Sequence, residues 1–116
     1  MIRPTFLAAL ALLTCVAGAA QAATKHAGVN LAGAEFGGGA LPGTHGTDYI
    51  YPSKAEVDHF LARGLGTIRL PFRWERLQPN LSAPFAAAEQ ARLDELVKYI
   101  TGKGGYVILD PHNYAR

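Results

Sequence analysis

Apart from Cys15, the 116-residue chain has no cysteine, so residues 23–116 cannot form a disulfide-stapled miniprotein. Runs of like charge are missing too: eleven basic and nine acidic residues are scattered along the chain for a formal net charge of +2. Such a balance argues against nucleic acid or an acidic membrane surface as a partner. The longest apolar run, Phe6 to Val16, falls short of the roughly 20 residues that span a bilayer. No internal repeat occurs, which excludes a solenoid or propeller. Phosphate-cradling loops fail as well: the glycines at 37–39 lack the helix and lysine of a P-loop, and Gly-Lys-Gly-Gly at 102–105 follows a helical stretch instead of opening one. His26, His45 and His59 show no metal-ligand spacing, so neither a metal site nor a cofactor is expected.

What is present begins with MIRPTFLAALALLTCVAGAAQA, where Arg3 precedes the apolar run and Ala20-Gln21-Ala22 fits a small-x-small cleavage site. This pattern predicts a signal peptide over residues 1–22 and export after cleavage near Ala22. Lipid attachment at Cys15 is disfavoured, because the apolar stretch continues past it and Thr14 is large for the preceding position.

Downstream, strand and helix patterns alternate. The apolar Ala27–Gly33 segment reads as a buried strand, and a long loop rich in glycine and aromatics follows it. Ser53 and Glu56 form a capping box at the start of a helix whose stripe is Val57, Phe60 and Leu61, with Gly64 placed to end it. Thr67–Phe72 is a second strand, expected to stop at Pro71. A second helix is predicted over about 86–101, with Leu93, Leu96, Val97 and Ile100 on one face, an Asp94–Lys98 pair outside and Gly102 closing it. Tyr106–Asp110 is the third strand.

This order implies an α/β fold with a parallel sheet covered by helices, either an open doubly wound sheet or a closed barrel. Side-chain alternation separates the two. Val29, Leu31, Ile68, Leu70, Val107 and Leu109 share the face to be packed by helices, whereas Asn30, Arg69, Asp110 and His112 share the other with the small Gly28 and Ala32. An open sheet would be apolar on both faces. Polar groups lining one face near the strand ends suit a barrel with a site at its C-terminal mouth.

Arg69 in mid-strand demands a carboxylate partner when buried. It either forms a structural pair with Asp110 or holds a catalytic carboxylate ionised. His112, at the end of the third strand, is either a hydrogen-bonded structural group or part of a site. Asn113 and Tyr114 either cap the strand end or contact a polar ligand. Glu75 reads as an ion-pair partner for Arg73 or Arg76, and Glu56, Glu89 and Glu95 read as solvated helix residues. Trp74, Tyr49, Tyr51 and Tyr114 lie on expected mouth loops, where flat rings either take the apolar faces of sugars or plug the barrel end.

Four segments, GVNLAGAEFG, PGTHGTDYIYP, IRLPFRWERLQP and YVILDPHNYAR, occur in an order and spacing that resembles the cellulases of glycoside hydrolase family five, most closely their secreted endo-β-1,4-glucanases. The resemblance covers nearly all of residues 23–116. It implies the N-terminal portion, about three βα units, of an eightfold (β/α) TIM barrel, truncated before the two glutamates that such enzymes use as acid/base and nucleophile after strands four and seven. It further implies that Arg69 contacts the nucleophile, that His112 stands beside the subsite of the cleaved bond, and that Trp74 and Tyr114 line the substrate cleft; Asn113, between His112 and Tyr114, is expected to bind substrate with them. The expected parent is a monomeric secreted endoglucanase acting on β-glucan with retention, with no membrane or nucleic-acid partner. This fragment is expected to be inactive by itself, since retention needs two carboxyls about 5 to 5.5 Å apart. A β-mannanase or other β-glycanase on the same barrel, and a non-catalytic secreted carbohydrate-binding protein, are the alternatives.

Overall fold

The computed structural model describes residues 26–114; the expected signal peptide lies outside them. The element order is β1 (Gly28–Asn30), α1 (Lys54–Leu61), β2 (Thr67–Phe72), α2 (Trp74–Leu77), α3 (Ala87–Gly102) and β3 (Tyr106–Pro111). The three strands form one parallel sheet in the order β1-β2-β3.

Local chemistry accounts for the start of α1. Ser53 Oγ accepts from the Glu56 amide at 3.2 Å while the Ser53 amide donates to Glu56 Oε2 at 2.7 Å, the expected capping box. Val57 then enters the core, with Phe60 and Leu61 partly buried beside it. In α3, Leu93, Leu96 and Ile100 are buried. The main cluster joins Leu31, Val57, Ile68, Leu70, Leu96 and Ile100, so both long helices cover the same sheet face. A second cluster of Ala34, Phe72, Leu77 and Leu93 closes the end of that layer towards the strand C-termini.

Two expectations about strands need correction. Pro71 does not end β2, which runs on through Phe72. The hydrogen-bonding direction explains this: Thr67 and Arg69 bond towards β1, through Thr67 N to Ala27 O and Leu31 N to Arg69 O, whereas Phe72 O accepts from His112 on the β3 side. Pro71 therefore turns its missing N–H towards β1 at a level where β1 has already ended, and no ladder bond is lost. On the helix-covered face, Leu109 is 47 % exposed instead of packed. It lies at the free edge strand, and the groove beside it is lined by Phe72, Leu77, Phe85 and Leu93.

The register places Asn30, Arg69 and Ile108 in one row and Pro71 beside Asp110 in the next. These residues occupy the face without helices, where Ile108 is 52 % exposed. Gly28 is required at the near end of this face, because a Cβ there would sit 1.9 Å from the Thr67 carbonyl oxygen.

Candidate functional site

The chemistry gathers at the C-terminal ends of the strands. Arg69 donates through Nη1 to Asn30 Oδ1 and through Nη2 to Asp110 Oδ2, so it draws on both neighbouring strands. His112 Nδ1 lies 2.9 Å from the same Asp110 oxygen, and Nε2 lies 2.9 Å from the Tyr114 hydroxyl. The set is satisfied when His112 donates from Nδ1 to the carboxylate and accepts at Nε2 from the tyrosine O–H. In that tautomer the 3.3 Å approach of Arg69 Nη2 to Nδ1 is a contact between two donors and not a hydrogen bond. The Arg69 side chain remains 36 % exposed on the helix-free face of the sheet.

The loop following β2 extends this cluster. Arg73 donates from Nη1 to the His112 carbonyl at 2.9 Å and from Nε to the Glu35 carbonyl at 3.0 Å, tying the ends of β3 and β1 together. Asn113 bridges in the other direction, accepting from the Trp74 amide at 3.0 Å and donating to Glu75 Oε2 at 2.6 Å. That donated bond is the main reason the Glu75 carboxyl is held below its usual range. The expected ion pair of Glu75 with Arg73 or Arg76 is absent among the described residues; Asn113 takes its place because it reaches the carboxylate directly from the β3 end. Trp74, Glu75, Gln78, Pro111 and Asn113 line an open cavity of about 520 Å³. The structure thus brings Arg69, His112 and Tyr114 into one bonded group, and Trp74 and Asn113 into an adjoining cleft.

A second polar group was not legible as such. Arg76, expected at most to pair with Glu75, is only 2 % exposed and donates to the backbone carbonyls of Ala34, Phe36, Gly37 and Pro42. Its guanidinium carbon also lies 3.9 Å from the centre of the Tyr49 ring. The Tyr49 hydroxyl donates to Glu89 Oε2 at 2.6 Å, the Tyr51 hydroxyl donates to Oε1 at 2.9 Å, and Arg92 pairs with Oε2 at 2.9 Å. Glu89 is therefore buried, 3 % exposed, where a solvated helix residue was expected. A signal for this did exist: Glu89 stands four residues before Leu93 and shares the stripe of Leu93, Leu96 and Ile100. Burial first, then the bond to Glu89, pushes the Tyr49 phenol up to about 12, and Tyr51 is raised further by the same causes. Tyr49 and Tyr51 hold the loop between β1 and α1 against α3; they are not mouth platforms.

Among the described residues no group of three or more His, Cys, Asp or Glu is placed to hold a metal, and no helix is long and apolar enough to cross a membrane. Against known proteins, the model of the family Cellulase (glycosyl hydrolase family 5) matches residues 22–116. The chain belongs to this family. Among its family-5 relatives, Endoglucanase 3 of Humicola insolens is 43 % identical over 93 residues, which cover 79 % of this chain and 24 % of that protein. The endo-beta-1,4-glucanase Xac0029 of Xanthomonas axonopodis pv. citri superposes with a TM-score of 0.77 at 41 % identity, over 80 % of this chain and 29 % of that one. XacCel5A, solved in complex with cellopentaose, superposes with a TM-score of 0.76 at 43 % identity, over 79 % and 29 % of the two chains. The chain spans about a quarter of the length of the curated relatives it matches. Its parallel strands and covering helices are the N-terminal part of the family's eightfold (β/α) barrel, as the resemblance implied. The polar face of the sheet is then the barrel interior and the Arg69 cluster lies at its C-terminal mouth.

Proposed function

We propose that residues 23–116 are the N-terminal part of a secreted endo-β-1,4-glucanase, with residues 1–22 its export signal, and that the parent enzyme cleaves internal β-1,4 bonds of cellulose or related β-glucans with retention. The observation that carries this reading is the Arg69–Asp110–His112 cluster, which lies at the C-terminal end of parallel strands beside the Trp74–Asn113 cleft in a family-5 chain. Endo-β-1,4-glucanases recur among its relatives, and one solved neighbour holds cellopentaose.

Arg69 supports catalysis rather than performing it. Asn30 and Asp110 orient its fork, and the part left exposed can donate to a carboxylate arriving from a later strand, keeping it ionised as the nucleophile. His112, held at Nδ1 by Asp110, stands beside the breaking bond, where a substrate hydroxyl can take the place of the Tyr114 hydroxyl at Nε2. Trp74 presents a flat apolar face and Asn113 an amide to the glucan, with Tyr114 at the rim. The retaining mechanism needs two glutamates, which the parent barrel would supply from its fourth and seventh strands.

The test is to sequence downstream of the Arg116 codon and to assay the whole parent on soluble cellulose and mannan derivatives. A continued frame with glutamates after the fourth and seventh strands, hydrolysis of the glucan, and slow turnover by both Arg69→Ala and His112→Ala are expected. Near-wild-type rates for both variants would remove the site assignment. Preference for mannan would replace the substrate while leaving the site in place.

A further inference from the structure

A cavity of about 230 Å³ lies on the helix-covered side of the sheet, between the β1–α1 loop and helices α1 and α3. Leu96 lines it and also belongs to the core cluster under the helices, so the sheet separates this cavity from Arg69 and His112. Its walls, the β1–α1 loop and the two helices, all lie within residues 26–114, unlike those of the groove beside Leu109 at the edge of β3.

The walls of the cavity combine two kinds of surface. His45 and Tyr51 stack with ring centres 6.3 Å apart and planes inclined by 29°, and Pro52 and Leu96 extend the apolar side. Facing groups are charged but balanced. Lys54 is bonded to Glu95 at 2.6 Å, and Arg92 is bonded to the buried Glu89 at 2.9 Å. Only one Arg92 nitrogen and one Glu95 oxygen are bonded to other described residues. A guanidinium with further donors and a carboxylate with a further acceptor therefore border stacked rings.

From this combination we propose that the cavity is a second, non-catalytic binding site for a neutral pyranose unit of a glycan chain. A sugar ring has an apolar C–H face to lie on His45 and Tyr51, and equatorial hydroxyls that both donate and accept, matching Arg92 and Glu95. An anionic ligand is disfavoured because the two cations are already matched by Glu95 and Glu89. The volume lies below the roughly 300–1,000 Å³ of drug-sized ligand pockets, which fits one ring and not several. The choice of β-glucan as the bound chain rests on the function proposed above. The site would hold one stretch of polysaccharide on the flank of the barrel while the mouth takes another.

The experiment uses the whole parent protein and a non-hydrolysable thio-linked cellotetraose, with side-chain NMR signals of His45 and Arg92 read beside those of Trp74 and His112. Two sets of shifts are expected, with separate affinities. His45→Ala should weaken the flank site about tenfold while leaving binding at Trp74 and His112, and turnover of short soluble substrates, unchanged. Arg92→Lys, which keeps a cation for Glu89, should weaken it less. Shifts confined to Trp74 and His112, or a His45→Ala protein with undiminished flank binding, would overturn the proposal and leave the glucanase reading intact. Flank shifts without shifts in the mouth would keep this site and remove that reading. Tighter flank binding of an oligo-glucuronate than of the neutral probe would overturn the assignment of a neutral ligand.

Discussion

Arg69 and Arg76 lie seven residues apart and serve opposite ends. Arg69 has side-chain partners from both neighbouring strands and stays partly exposed on the helix-free face of the sheet. Arg76 is enclosed, and backbone carbonyls and the Tyr49 ring surround its charge. A carboxylate partner with an open side leaves a guanidinium able to meet a second anion. Carbonyl dipoles converging from a single loop leave no such side, and the cation becomes the fastener of that loop. On the proposed function the enclosed arginine serves folding and the open one chemistry, although both are equally charged.

The largest expected effect tests the enclosed member. Arg76→Met in the whole parent should cost about 3 kcal/mol or more, because several carbonyls lose their donor at once. Urea unfolding measures this, and a loss under about 1 kcal/mol would mean that water replaces the guanidinium, as at a surface position. Arg69→Ala should reverse the pattern, with turnover reduced about 10²- to 10³-fold and an almost unchanged unfolding midpoint. A large stability loss with intact turnover in the folded fraction would make Arg69 a structural pair with Asp110 and erase the contrast.

Alkaline pH sharpens it further. The Tyr49 phenol is raised to about 12, and Tyr51 further, so the folded state holds these protons after the unfolded chain has lost them. Their contribution to stability is complete below the ordinary phenol value near 10 and declines as pH rises from there through the folded values. The double variant Tyr49→Phe/Tyr51→Phe should flatten that part of the stability profile above about pH 10 and lower the plateau below it, since Glu89 loses two donors. An unchanged alkaline slope would show that the Tyr–Glu89 bonds do not survive in solution.

The smallest effect concerns the open cleft. Asn113 holds the Glu75 carboxyl below its ordinary range, so this contribution is present above that range and is lost as pH falls through the lowered value. Asn113→Ala should move the acid limb of the stability profile slightly upward in pH, by little because Glu75 is still partly exposed. No movement of the acid limb would indicate that Glu75 and Asn113 part in solution.

Sequence pattern alone determined the strand–helix alternation, the capping box at Ser53, the polarity of the two sheet faces and the position of Arg69, His112 and Asp110 on one of them. These follow from periodicities of two and 3.6 residues and from bonds between near neighbours, which leave a local trace. The contact of Arg69 with Asp110 was legible for the same reason, since parallel strands bring like-facing positions together. Only the tertiary structure decided the fate of Arg76 and Pro71 and the partners of Glu89. The carbonyls that hold Arg76 come from 34 to 42 residues earlier and carry no side-chain signature. The tyrosines that bury Glu89 stand 38 and 40 residues before it, so a helix residue that local polarity assigns to solvent becomes a buried anchor. Pro71 continues a central strand because the neighbour that would need its N–H ends two residues earlier, opposite Arg69, a fact of register between strands rather than of composition.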